Sequence, residues 1–188
     1  MPDTDLGPIL LKLARAAIAH RLGLAPAPEV PDDTRLHERG ASFITLLRDG
    51  QLRGCIGSLR RSHPLGEDVM TNAIAAASKD SRFPPLTGEE LDGIAIEVSV
   101  LSEPEFIDFF GEEELLAQLR PFEDGLILFS GCSSATFLPQ VWEQLPEPRA
   151  FLNALKHKAG LPTNREVVEL MAARYHVQKW KESEQAHS

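Results

Sequence analysis

The chain has 188 residues, 43% of them apolar and 25% charged, with a formal net charge of −9. That length suits one ordinary domain, or one domain with a smaller lobe, and suffices to bury a core without staples. The excess of acid opposes a phosphate backbone, so nucleic acid is not expected as a partner. The segment from Arg53 to Arg61, with three arginines and no acid, is the candidate for a local basic patch.

Two cysteines, Cys55 and Cys132, do not make a disulfide framework. The start, MPDTDLGPILLKLA, lacks a secretory pattern: acids precede a short apolar stretch that Lys12 and Arg15 interrupt. No apolar run approaches the roughly 20 residues needed to span a bilayer. The expectation is a cytoplasmic protein with both thiols free and no membrane contact.

Residues 5–22 are predicted as a helix, with Pro8 in the first turn, an apolar stripe of Leu6, Leu10, Leu13 and Ala17, and a stop at Gly23. Residues 25–36 are a proline-rich connection. The run Phe43–Leu47, the pair Asp49–Gly50 and the run Gln51–Ile56 predict a hairpin. Simple alternation places Gln51, Arg53 and Cys55 on one face. Residues 63–79 form a second helix, opened by Pro64, with small residues at Ala73, Ala76 and Ala77 for close packing on a sheet. In the turn Asp80–Pro85, Phe83 is expected to plug the core.

Ile94–Leu101 alternates as a strand, with Glu97 on its less apolar face. A short helix at 111–119, a strand at 126–129, an irregular stretch around Pro139 and Trp142, and a helix at 148–158 ended by Gly160 follow. Thr163 and Glu166 read as a capping box opening another helix. Tyr175–Trp180 is a final strand or a continuation of that helix, and 181–188 is a tail. Asp49–Gly50 before Gly54–Cys55 is echoed by Asp124–Gly125 before Gly131–Cys132, which raises an internal duplication.

The string Leu52-Arg53-Gly54-Cys55-Ile56-Gly57 resembles the hallmark of the AMMECR1 domain family. The likeness continues in Gly40–Leu47, in Pro64–Leu65, in Asp80-Ser81-Arg82-Phe83-Pro84-Pro85, in Glu97–Leu101, in Thr136–Trp142 and in Phe151–Leu161. It covers about residues 8–180. It implies an α+β fold of one domain with a larger and a smaller lobe and a largely antiparallel, barrel-like sheet flanked by helices. It also implies a protein of the kind called AmmeMemoRadiSam system protein A, acting beside Memo-like and radical SAM proteins on a small molecule or peptide. No reaction comes with the resemblance. The chain departs from the family pattern at Thr163–Glu166 and at Cys132.

Cys55 has three readings. It is a small packed hydrophobe; or a nucleophile, with Arg53 stabilising the thiolate and His63, Glu97 or Asp80 as its partner; or one member of a non-catalytic binding site. The substrate-binding candidates are Arg53, Asp80, Arg82, Glu97 and Gln140. Each also has a plain structural reading: an Asp80–Arg82 ion pair holding a turn, Glu97 on a solvated strand face, Gln140 satisfying a bend. The six histidines show no HExxH or CxxC-like partner spacing, so a metal would need distant residues such as Cys55, His63 and Glu97. There is no Rossmann fingerprint or P-loop, and two cysteines are too few for a standard iron–sulfur cluster. No cofactor is predicted.

Overall fold

A computed structural model describes residues 6–183; the predicted helix start at Asp5 and tail residues 184–188 lie outside them. The chain divides into two compact units, 6–101 with 178–183, and Ser102–Val177. The first holds helices α1 (Leu6–Arg21), α2 (Thr34–His37) and α3 (Leu65–Ser78) and strands β1 (Arg39–Arg48), β2 (Gln51–Gly57), β3 (His63–Pro64) and β4 (Ile94–Leu101). The second holds β5 (Glu105–Ile107), helix α4 (Gly111–Gln118), β6 (Gly125–Ser130), β7 (Ser133–Phe137), helix α5 (Pro148–Lys158) and β8 (Met171–Tyr175). The last strand, β9 (Val177–Lys181), joins the first sheet beside β4.

In the first unit the strand order is β2-β1-β4-β9, with β3 pairing on β1. One face of β1 and β4 is apolar: Ile44, Leu46, Ile96 and Val98 are fully buried together with Leu10, Ile18, Val69 and Ala73 from α1 and α3. The stripe of α1 is therefore core. Its end is a Schellman motif: Leu24 N–H donates to the Ala19 carbonyl, Gly23 N–H to that of His20, and Gly23 takes φ +75°. Glu182, assigned to a tail by sequence, is tied into this unit by the guanidinium of Arg15 at 2.7 Å and the N–H of Ile96 at 2.9 Å.

The second sheet runs β5-β8-β6-β7. Its core stacks Trp142 on Phe151 at 3.7 Å, with Leu115, Leu126 and Leu128 around them. Lys156, 1% exposed, donates to Glu112 at 2.7 Å and to the carbonyl of Arg165 at 2.9 Å.

Three expectations are corrected. The barrel-like sheet is absent: both sheets are open, one edged by β2 and β9 and the other by β5 and β7. Closure needs enough strands to curl around a filled interior. In the first unit, α1 and α3 bury the apolar face that other strands would cover in a barrel. The helix predicted from Thr163 does not form. Glu166 accepts the N–H of Glu112 instead of capping Thr163, and the segment leads into β8, whose Ala172 and Ala173 are small enough to be buried at a sheet centre. The duplication also fails. Asp49–Gly50 is the turn between β1 and β2, whereas Gly125 is already the first residue of β6 and Gly131–Cys132 is itself the turn to β7.

Candidate functional site

The hairpin of β1 and β2 turns at Asp49 (φ 51°) and Gly50 (φ 73°), the two positive values that a tight primed turn requires. Regular pairing from that turn would set Thr45 opposite Gly54. A bulge intervenes: Leu47 pairs with Leu52, Leu46 with Gly54, and Thr45 with Cys55, so Arg53 is the extra residue. The slip brings the Thr45 hydroxyl to 3.2 Å from the Cys55 thiol. Thr45 was not among the sequence candidates, because alternation carries no sign of a bulge.

Gly54 is a glycine because β2 lies directly on α3. A Cβ there would sit 2.3 Å from the carbonyl oxygen of Ala76. The small face of α3 and the glycine beside the thiol are two halves of one close approach. A Cβ at Gly57 would in the same way run into the ring of Phe43, its cross-strand partner.

Beyond the outer edge of β2 lies the turn after α3. The carboxylate of Asp80 is buried and accepts the backbone N–H of Cys55 at 2.9 Å. The same oxygen accepts Nη2 of Arg82 at 2.7 Å, and the other accepts Arg82 Nε and its backbone N–H. The guanidinium of Arg82, followed by the N–H of Cys55, holds the Asp80 carboxyl far below the usual carboxylate range. Asp80 and, more weakly, the charge of a Cys55 thiolate push the Arg82 pKa up. The Arg82 side chain stays 56% exposed, its guanidinium 5.5 Å from the centre of the Phe83 ring. Phe83 is only partly buried. The buried anchor of this turn is Leu86, so the expected plug is three residues away.

Of the remaining candidates, Arg53, His63 and Gln140 are engaged or placed elsewhere, whereas Glu97 shares the cross-strand row of Cys55 and Thr45. Arg53 is engaged by a carboxylate: its Nε and Nη2 each lie 3.2 Å from a carboxylate oxygen of Glu90, which also accepts the N–H of Thr87. The displaced bulge residue serves the loop before β4. His63 pairs with Gly40 on β1, five residues along from Thr45, so about 17 Å of strand separates it from Cys55. It is not a base for this thiol. Glu97 lies opposite Thr45 on β4, and its carboxylate meets Lys179 at 3.3 Å. Gln140 is exposed and belongs to the second unit. Cys55 is half-buried, Cys132 is exposed, and both thiols are free. Among the described residues no three His, Cys, Asp or Glu side chains group as metal ligands, so the Cys55, His63 and Glu97 set is not assembled. Nor is any helix there long and apolar enough to cross a membrane.

A hairpin ending in Arg-Gly-Cys, clasped by an Asp-Ser-Arg turn, falls within the AMMECR1 family model, which matches residues 11–180. The chain belongs to the AMMECR1 family. It is 39% identical over 172 residues to a protein of Thermofilum pendens, covering 85% of this chain and 81% of that one. It is 39% identical over 162 residues to protein TV1384 of Thermoplasma volcanium, covering 85% and 80%. The crystal structure of the uncharacterized protein PH0010 from Pyrococcus horikoshii shares the fold at a TM-score of 0.80 and 35% identity, covering 95% of this chain and 92% of that one. In this AMMECR1 chain, the guanidinium associated with the motif cysteine is supplied by Arg82 rather than by the neighbouring arginine of the motif.

Proposed function

We propose that this AMMECR1 protein binds a small carboxylate-bearing molecule or peptide at the surface formed by Cys55, Thr45 and the Asp80–Arg82 pair, with the thiol touching the ligand. The observation that carries this reading is the shared carboxylate oxygen. Asp80 fixes Arg82 against the backbone of Cys55, yet most of the arginine side chain remains exposed. Asp80 engages Nε and Nη2, and Nη1 has no hydrogen bond among the described residues. A planar fork with a free donor beside a half-buried thiol is suited to an anionic ligand. Work beside Memo-like and radical SAM proteins belongs to the same proposal and rests on the family resemblance.

A second reading makes Cys55 a nucleophile. The Thr45 hydroxyl 3.2 Å from its sulfur favours that reading, since a hydroxyl at this distance donates to a thiolate. Thermal-shift titration with small mono- and dicarboxylates tests the binding reading. Wild type should be stabilised, Arg82→Ala should lose the effect, and Cys55→Ser should keep it. Stabilisation that survives Arg82→Ala contradicts the reading. Turnover abolished in Cys55→Ser with binding intact would favour the nucleophile.

A further inference from the structure

The basic segment Arg53–Arg61 does not stay together in the fold. Arg53 leaves it for Glu90, and its place is taken by Arg39 from the start of β1. Nη2 of Arg61 donates to the Arg39 carbonyl at 2.7 Å, and Nη1 of Arg39 donates to the Ser62 carbonyl at 2.6 Å. These reciprocal bonds tie the loop 58–62 to β1 through backbone oxygens alone. Among the described residues, no carboxylate pairs with Arg39, Arg60 or Arg61, whereas Arg15, Arg53, Arg82 and Arg149 each have one. In a chain of net charge −9, these three neighbouring cations have no counter-ion among the described residues. Leu59, in the same loop, is 44% exposed.

We propose that loop 58–62 and Arg39 form a docking surface for an acidic peptide segment of a partner protein, its carboxylates on the three arginines and an apolar side chain on Leu59. A guanidinium that gives one N–H to a carbonyl keeps further donors for a carboxylate fork. The loop is already pinned, which lowers the ordering cost of binding. A nucleic acid fits less well. The chain as a whole repels a long polyanion, and the loop has no aromatic ring on which a base could stack. This surface is independent of the Cys55–Arg82 proposal.

Fluorescence anisotropy with a short labelled peptide alternating Glu and Leu tests it, alongside a labelled single-stranded oligonucleotide. Saturable peptide binding at low salt is expected, weakening as salt rises. The Arg60→Glu and Arg61→Glu double variant should bind about tenfold or more weakly, and Leu59→Ser should weaken binding by a smaller factor. Arg60→Glu alone provides a variant that touches no bond of the fold, and it should show a clear loss with an unchanged melting curve. Absence of saturable peptide binding, binding indifferent to Arg60→Glu, or tighter binding of the oligonucleotide would each overturn the proposal.

Discussion

Cys55 and Arg82 meet on a single oxygen: Oδ2 of Asp80 accepts the backbone N–H of the cysteine at 2.9 Å and Nη2 of the arginine at 2.7 Å. The edge of β2 and the turn after α3 are thereby one structural element. Asp80→Asn keeps the shape but removes the charge and one acceptor. It should destabilise the protein by about 1–3 kcal/mol in urea unfolding at neutral pH. A change below a few tenths of a kcal/mol would mean that the turn holds without the carboxylate.

The same carboxylate sets an acid dependence. Its folded-state pKa is depressed, first by the side chain of Arg82 and then by the N–H of Cys55. The stabilisation is therefore fully present above the unfolded value of about 3.9 and is lost as pH falls from there toward the lower folded value. Glu90 is shifted the same way, by Thr87 and then Arg53, and adds to the loss. The difference between wild type and Asp80→Asn should shrink when both are melted at about pH 3 rather than pH 7. A difference that grows in acid would reverse the sign.

Gly54 and Gly57 should tolerate a methyl group unequally. At Gly54 the methyl meets a helix carbonyl, which moves only if β2 and α3 part; at Gly57 it meets the ring of Phe43, a partly buried side chain that must swing aside as a whole about χ1. Gly54→Ala should cost about 1–3 kcal/mol or more, and Gly57→Ala distinctly less, in equilibrium unfolding. Equal costs would remove the argument that helix contact dictates the glycine of the motif.

In the second unit, Lys156→Met strands Glu112, whose side chain is 4% exposed. Arg149, at 3.5 Å from the other carboxylate oxygen, compensates in part. The single variant should lose about 3–5 kcal/mol, and the Glu112→Leu, Lys156→Met pair should recover much of it. Additive losses would show that the two charges are not coupled.

Much of this architecture is written in local pattern. The stripe of α1, the alternation of β4, the Asp49–Gly50 turn and the Gly160 stop all lie where period and turn chemistry place them. Of the proposed site, the members Cys55, Asp80 and Arg82 were legible. Their arrangement was not, because one bulge at Arg53 decides which residue faces the thiol, and a bulge leaves no trace in hydrophobic alternation. The Thr163–Glu166 signal misled for a related reason. A capping pair is a local preference, and the buried Glu112–Lys156 pair overrides it by bonding that segment's backbone at Arg165 and Val167. Closure of a sheet into a barrel depends on which strands meet at its edges, and that is not a property of any one segment.

The most direct test of the Cys55–Arg82 site is the ratio of alkylation rates by iodoacetate and by neutral iodoacetamide, read separately at Cys55 and Cys132 by mass spectrometry. Both thiols belong to the same acidic chain, so the exposed Cys132 reports the general bias against an anionic reagent. A guanidinium beside the thiol should favour the carboxylate-bearing reagent there. The iodoacetate-to-iodoacetamide ratio is expected to be severalfold higher at Cys55 than at Cys132, and to fall to the Cys132 value in Arg82→Gln while Arg53→Gln leaves it unchanged. A ratio at Cys55 no higher than at Cys132, or one that does not respond to Arg82→Gln, would contradict the anion site.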